Sequence, residues 1–251
     1  MKRKNWYGSL TPISFGAGII FISLFIFLNC SKDDKNPIKP PTSVTVTDID
    51  GNSYQTVKIG DQWWMAQNLK VTHYRNGEAI PKITDNTEWL NLITGAYCNY
   101  NNSPDSAATW GCLYNWYAVN DTRKIAPAGW HTPTDEEWNE LEIFLGISRA
   151  EADTAVTRGT DEGGKLKESG TTHWASPNIG ATNASGFTAL PAGDRYYDGH
   201  FDNLRYYAIF WSSTGYDSDY AWDRHLYYDT SEVYRKDFSK RDGFSVRCVR
   251  D

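Results

Sequence analysis

The chain has 251 residues and a formal net charge of −6, with 31 acidic residues against 25 basic ones. That balance excludes an ordinary nucleic-acid binder, which needs a basic footprint for the phosphate backbone. The 11 Trp and 16 Tyr are spread among Gly, Asn, Asp and Ser, which predicts short elements, long loops and a core of large rings. One buried ring removes roughly 150–250 Å² from water, so a few go far in a loop-rich fold.

Lys2, Arg3 and Lys4 open the chain, and no charged residue follows until Lys32. Residues 13–28 are mostly Ile, Phe, Leu and Gly, and Cys30 comes directly after them. A basic start, an apolar run and a break make a secretory signal. The run also approaches the ~20 residues of a membrane helix, so a retained anchor is the alternative. The position of Cys30 resembles bacterial lipoproteins, whose signal is cut before a cysteine that is then acylated. Asn29 departs from the small residue usual there. Ser31, Lys32, Asp33 and Asp34 resemble the tract that sends Bacteroidetes lipoproteins to the outer face of the outer membrane. The likeness implies a signal peptide over residues 1–29, a lipidated Cys30 as membrane anchor and a cell-surface address. Removing residues 1–29 takes away three positive charges and moves the net charge from −6 to −9. Pro37, Pro40 and Pro41 make residues 30–43 an extended tether.

Residues 44–251 read as one domain, with no later linker and no internal repeat. Residues 44–60 hold two alternating runs around Asp50-Gly51-Asn52, a hairpin signal. Asp48, Asp50 and Asn52 mimic a calcium loop, but Ser53 and Ile59 stand where its Gly and Glu belong. Trp63 and Trp64 read as core. Leu113 to Val119 predicts a short helix. A longer helix begins at Thr134, where Glu137 completes a capping box, and stops at Gly146. Its apolar stripe is Trp138, Leu141, Phe144 and Leu145, and Asp135, Glu136 and Glu137 complement the helix dipole. At the end of the chain Phe244, Val246 and Cys248 alternate with Ser245, Arg247 and Val249, the period of a half-buried strand.

Several stretches together resemble the Fibrobacter succinogenes major paralogous domain: DIDGNSYQTVKIGDQWWMAQNLKV, LYNWYAV, APAGWHTPTDEEWNEL, NASGFTALPAGDRYYDG, FWSST and GFSVRCVRD. They run in order from Asp48 to the C-terminus. The family is itself similar to the C-type lectin-like fold. The resemblance implies an α+β domain, two helices packed on short antiparallel sheets with long loops, in which the first hairpin meets the last strand. It also implies a Cys98–Cys248 disulfide, leaving Cys112 as a buried thiol.

Activities of similar folds are checked residue by residue. Formylglycine-generating enzymes need a cysteine pair near the C-terminus, where only Cys248 stands. His73, His131, His173, His200 and His225 are scattered, and no nucleophile elbow or phosphate loop is present. The expectation is a noncatalytic domain without a cofactor. Asp217, Asp219 and Asp223 are the weak metal candidate, three oxygen donors close in sequence. The expected ligand, a glycan or a surface protein, meets two loops that interleave rings with charges. Their candidate contacts are Tyr196, Tyr197, Tyr216 and Asp217, expected to be exposed because so many polar neighbours are costly to bury. The rival expectation is a polysaccharide-active or redox enzyme, and a third is a structural surface component.

Overall fold

The computed structural model describes residues 44–251. The expected signal peptide, the expected lipidation site Cys30 and the expected tether lie outside the described residues. The domain is α+β, built from curled antiparallel sheets and short helices. Among the described residues no helix is long and apolar enough to cross a membrane.

The predicted hairpin forms from β1 (Thr45–Thr47) and β2 (Ser53–Ile59). Asp48 closes its turn. One carboxylate oxygen accepts from the Asp50 and Asn52 N–H groups, and the other accepts from Asn52 Nδ2 and the Tyr54 hydroxyl. β2 pairs with β3 (Gln62–Met65), which supplies the Trp pair: Trp64 is fully buried and Trp63 half-buried. Two short strands, β4 (Tyr97–Cys98) and β5 (Leu113–Tyr114), pair with each other. Next along the chain are β6 (Trp130–His131) and β7 (Val156–Arg158). β8 (Ala192–Arg195) and β9 (Phe201–Leu204) form a second hairpin. Three long strands follow, β10 (Tyr207–Gly215), β11 (Tyr220–Tyr227) and β12 (Val233–Ser239), and β7 extends their sheet in the order β10-β11-β12-β7. The last strand, β13 (Val249–Arg250), lies between β3 and β6, so the sheet reads β1-β2-β3-β13-β6. The chain end therefore joins the sheet of the first hairpin, with β3 standing between them.

The capping-box helix runs Asp135–Leu145, with Thr134 accepting from the Glu137 N–H and Glu137 returning the bond. Gly146 ends it at φ 137°, a conformation that glycine adopts without strain. Trp138 and Leu141 are buried, but Phe144 is 64% exposed and lies over Gly60 instead of the core. The other predicted helix is shorter than expected. Leu113 and Tyr114 are strand, and Asn115 caps a single turn over Trp116–Val119.

The terminal segment departs most from expectation. Residues 242–249 are buried on both faces, including Ser245 and Arg247. The segment threads the middle of the fold, where Phe244 bridges Tyr114, Ser245 bridges Phe210 and Val249 pairs with Trp64 and His131. Alternation places residues on opposite faces but cannot say that the second face is covered.

The expected Cys98–Cys248 bridge is absent. Cys98, Cys112 and Cys248 are all free and buried. Cys98 packs in a cluster with Ile83, Trp89 and Leu113, whereas Cys248 belongs to the larger core that holds Cys112 and Phe244. Burial pushes the Cys98 and Cys112 thiols up to about 12, so neither offers a ready thiolate.

Trp138 and Trp211 are 1% and 0% exposed, against 53% for Tyr216. Truncating either Trp to Ala is expected to cost ~3–5 kcal/mol in urea unfolding. Tyr216→Ala is expected to stay within about 0.5 kcal/mol of the wild type. Equal costs for all three would show that the core is wrongly placed.

Candidate functional site

The loop with two of the four sequence-predicted contacts, Tyr196 and Tyr197, is positioned by one buried cation. β8 and β9 join through a turn in which the Gly199 N–H donates to the Tyr196 carbonyl and the Tyr196 N–H to the His200 carbonyl. Gly199 has φ +94°, and a Cβ there would strike Asn86. Arg195, 0% exposed, donates to the carbonyls of Gly199 at 3.0 Å, Ile83 at 2.6 Å and Thr84 at 3.1 Å. Its guanidinium lies 4.3 Å from the Trp89 ring and 4.9 Å from the Phe201 ring. The residues that follow, Tyr196 and Tyr197, are thus fixed against the end of β12.

There they wall an open cavity of about 320 Å³, shared with Tyr220, Phe238, Arg241 and Asp242. Tyr197 and Tyr220 are 48% and 43% exposed. Tyr196 is half-buried and stacked on His200 with centroids 4.4 Å apart, so it is less exposed than its polar neighbours suggested. Tyr216 and Asp217 are exposed, as expected, but they stand apart from this cavity. Tyr216 packs edge-on against Trp222, and Asp217 Oδ1 accepts from the N–H groups of Asp219 and Tyr220 to close the β10–β11 turn.

No pattern in the sequence singles out Asp242. It lines the cavity, is 2% exposed, and its Oδ1 has no hydrogen-bond partner. Burial pushes its carboxyl up to about 8, against the backbone N–H groups of Tyr197 and Ser239 that pull it down, and the charges of Asp194 and Asp223 raise it further. Asp194, 2% exposed, is pushed up to about 7 by burial and accepts from Asn203 Nδ2 at 2.7 Å. Asp223, fully buried on β11, is raised by burial too. His225 Nε2 lies 2.8 Å from its Oδ1 but out of line for a hydrogen bond, so both carboxyl oxygens lack a donor. On the same face Tyr227 reaches His225 Nδ1 at 3.3 Å and accepts from Lys236 Nζ at 2.7 Å. Three buried carboxyls and a histidine thus lie behind or beside an aromatic cavity. Perturbed acids in a cleft mark a functional-site candidate when geometry agrees.

The weak metal candidate is not assembled. Asp217 and Asp219 are exposed at the hairpin tip, whereas Asp223 is interior. No group of three or more metal-ligating side chains gathers among the described residues. A roomier cavity, about 480 Å³ between Gly60 and Phe144, is lined by Gln62, Glu140 and Arg149. None of these carries a buried unpartnered atom, so the tyrosine cavity is the better site.

Asp194 and Asp242 set a pH dependence. Both folded-state pKa values lie above the ordinary carboxylate value, so the folded domain holds protons that the unfolded chain has lost. Their contribution is fully present below pH ~4 and is lost as pH rises towards about 8. Relative to wild type, Asp242→Asn is expected to gain stability progressively between those limits, read as urea midpoints. A constant difference between the two proteins across this window would contradict the burial of an unpaired carboxyl.

Comparison with known proteins completes the description of the site. No curated protein and no solved structure matches the chain. The family model described as the Fibrobacter succinogenes major domain matches residues 57–250, which include every strand from β3 to β13 and the whole tyrosine cavity. The chain belongs to the Fibrobacter succinogenes major domain family.

Proposed function

We propose that this protein is a lipid-anchored outer-membrane protein whose surface domain binds an extracellular glycan without transforming it. The observation that carries the binding reading is the cavity walled by Tyr196, Tyr197, Tyr220 and Phe238. Tyrosine faces give rigid apolar area at low entropic cost and keep a polar tip in water, which suits the apolar faces and hydroxyl edges of a sugar ring. The cavity has room for one small ring system rather than a buried long ligand. Arg241 at the rim and Asp242 within supply the polar contacts that orient a ligand. The antiparallel sheets, the capping-box helix and the sheet that holds both the first hairpin and the last strand support a C-type lectin-like fold. The surface address rests on the basic start, Cys30 and the acidic tract after it.

The full chain in detergent micelles, applied to a glycan array, tests the reading, with a turnover assay on every glycan retained. Saturable binding without turnover is expected. Tyr197→Ala and Tyr220→Ala are expected to weaken it about tenfold or more while leaving thermal unfolding near wild type. Hydrolysis of the retained glycans would replace the binding reading with the enzymatic one. Binding that is indifferent to both tyrosines would move the site elsewhere.

A further inference from the structure

The cavity has a charge asymmetry that neutral sugars do not need. Asp242 is buried with an unpartnered oxygen, and no described cation comes within ion-pair reach of it. Arg241 Nη1 donates to the Leu90 carbonyl at 2.9 Å, and its guanidinium carbon stands 5.9 Å from the Tyr197 ring centroid. The other cations of the neighbourhood are engaged elsewhere. Lys240 Nζ donates to the carbonyls of Asp217 and Ser218 and lies 4.5 Å from the Trp116 ring centroid. Lys236 is held by Tyr227, His225 faces Asp223, and His200 pairs with Asp198. Asp237 adds an exposed carboxylate at the rim, and the buried carboxyls of Asp194 and Asp223 lie behind without adding a cation.

Aromatic faces beside an uncompensated carboxyl are the chemistry that receives an organic cation. The ring quadrupole attracts the positive charge, most strongly where water is excluded. The carboxyl gains the partner whose lack makes its burial costly. A compact metal ion would need several oxygen ligands, and the described residues gather no such set. We propose that this cavity takes an organic ammonium group, held against the face of Tyr220 and paired with Asp242. The inference rests on the ligand-binding reading above and narrows its ligand class to amine-bearing small molecules or sugar units.

Two matched pairs of probes test it on the full chain in micelles by titration calorimetry near neutral pH. Choline is compared with its neutral carbon isostere, dimethylbutanol, and glucosamine with glucose. The charged member of at least one pair is expected to bind about tenfold or more tighter than its neutral partner. Asp242→Asn is expected to reduce that preference towards parity. Should that variant unfold, Tyr220→Ala at the exposed rim is expected to lower the same preference, because the ring face is lost while the fold is kept. Preference for glucosamine alone assigns an amino sugar, and preference for choline alone assigns a trimethylammonium headgroup. Neutral partners that bind as tightly as charged ones overturn the inference and leave the glycan reading intact. Failure of all four probes overturns the inference, and a silent glycan array beside it removes the binding reading as well.

Discussion

The guanidinium of Arg247 sits at the centre of the domain, 0% exposed, and no carboxylate neutralises it. It donates to Asn68 Oδ1 at 2.7 Å and to the carbonyls of Met65 at 3.0 Å, Phe187 at 2.6 Å and Thr188 at 2.8 Å. Burial pushes its pKa down to about 9, which measures how costly the charge is. The cost is met because a loop-rich fold buries carbonyls that no ladder or helix can satisfy. A planar group with five N–H donors satisfies several at once. Arg195 does the same for Ile83, Thr84 and Gly199, Arg75 for Ala126, Pro127 and Trp130, and Lys167 for Ile179, Tyr227 and Thr230. Buried cations thus act here as hubs that tie irregular segments to regular ones.

Ion pairs of the usual kind hold the other face. Asp135 and Glu142 on the capping-box helix meet Arg224 of β11, Arg235 of β12 and Arg158 of β7. This network docks the helix on the large sheet, so one face of that sheet has its carboxylates matched by arginines. The opposite face carries Asp223, with Asp194 and Asp242 nearby, and these acids have no arginine at ion-pair distance. The same strands therefore balance charge on one side and leave a deficit on the other. The deficit adjoins the tyrosine cavity, and Arg195 fixes the loop that walls it. The carbonyl hubs that stabilise the fold are thus also what shapes the site.

Elements with local causes were legible from local signals. Asp50-Gly51 fixes the first hairpin, Thr134 and Glu137 fix the helix start, and the tryptophans of the motifs are buried because they are large and apolar. The errors share one physical origin, which is that sequence pattern reports one residue's preference and not what covers it. Ser245 and Arg247 alternate with apolar residues as solvent-facing positions do, yet loops from elsewhere in the chain cover them. Phe144 fits the helix stripe but emerges at its margin beside Gly60. Cys98 and Cys248 lie on segments of two different clusters, and no local pattern reports that separation. Half of the site was legible, since Tyr196 and Tyr197 stand in a loop dense with rings and charges. Asp242 was not, because its isolation from cations emerges only when β8, β11 and the terminal segment converge.

The most direct measurement is the unfolding free energy of Arg247→Met. Met keeps an unbranched apolar stem and removes the burial cost of the charge, but it leaves four acceptors without a donor. If carbonyl satisfaction is what the fold depends on, the variant loses roughly 3 kcal/mol or more, since each orphaned buried group costs about 1–3 kcal/mol. A variant as stable as the wild type, or more stable, would mean that the buried charge was a net cost and would contradict the account.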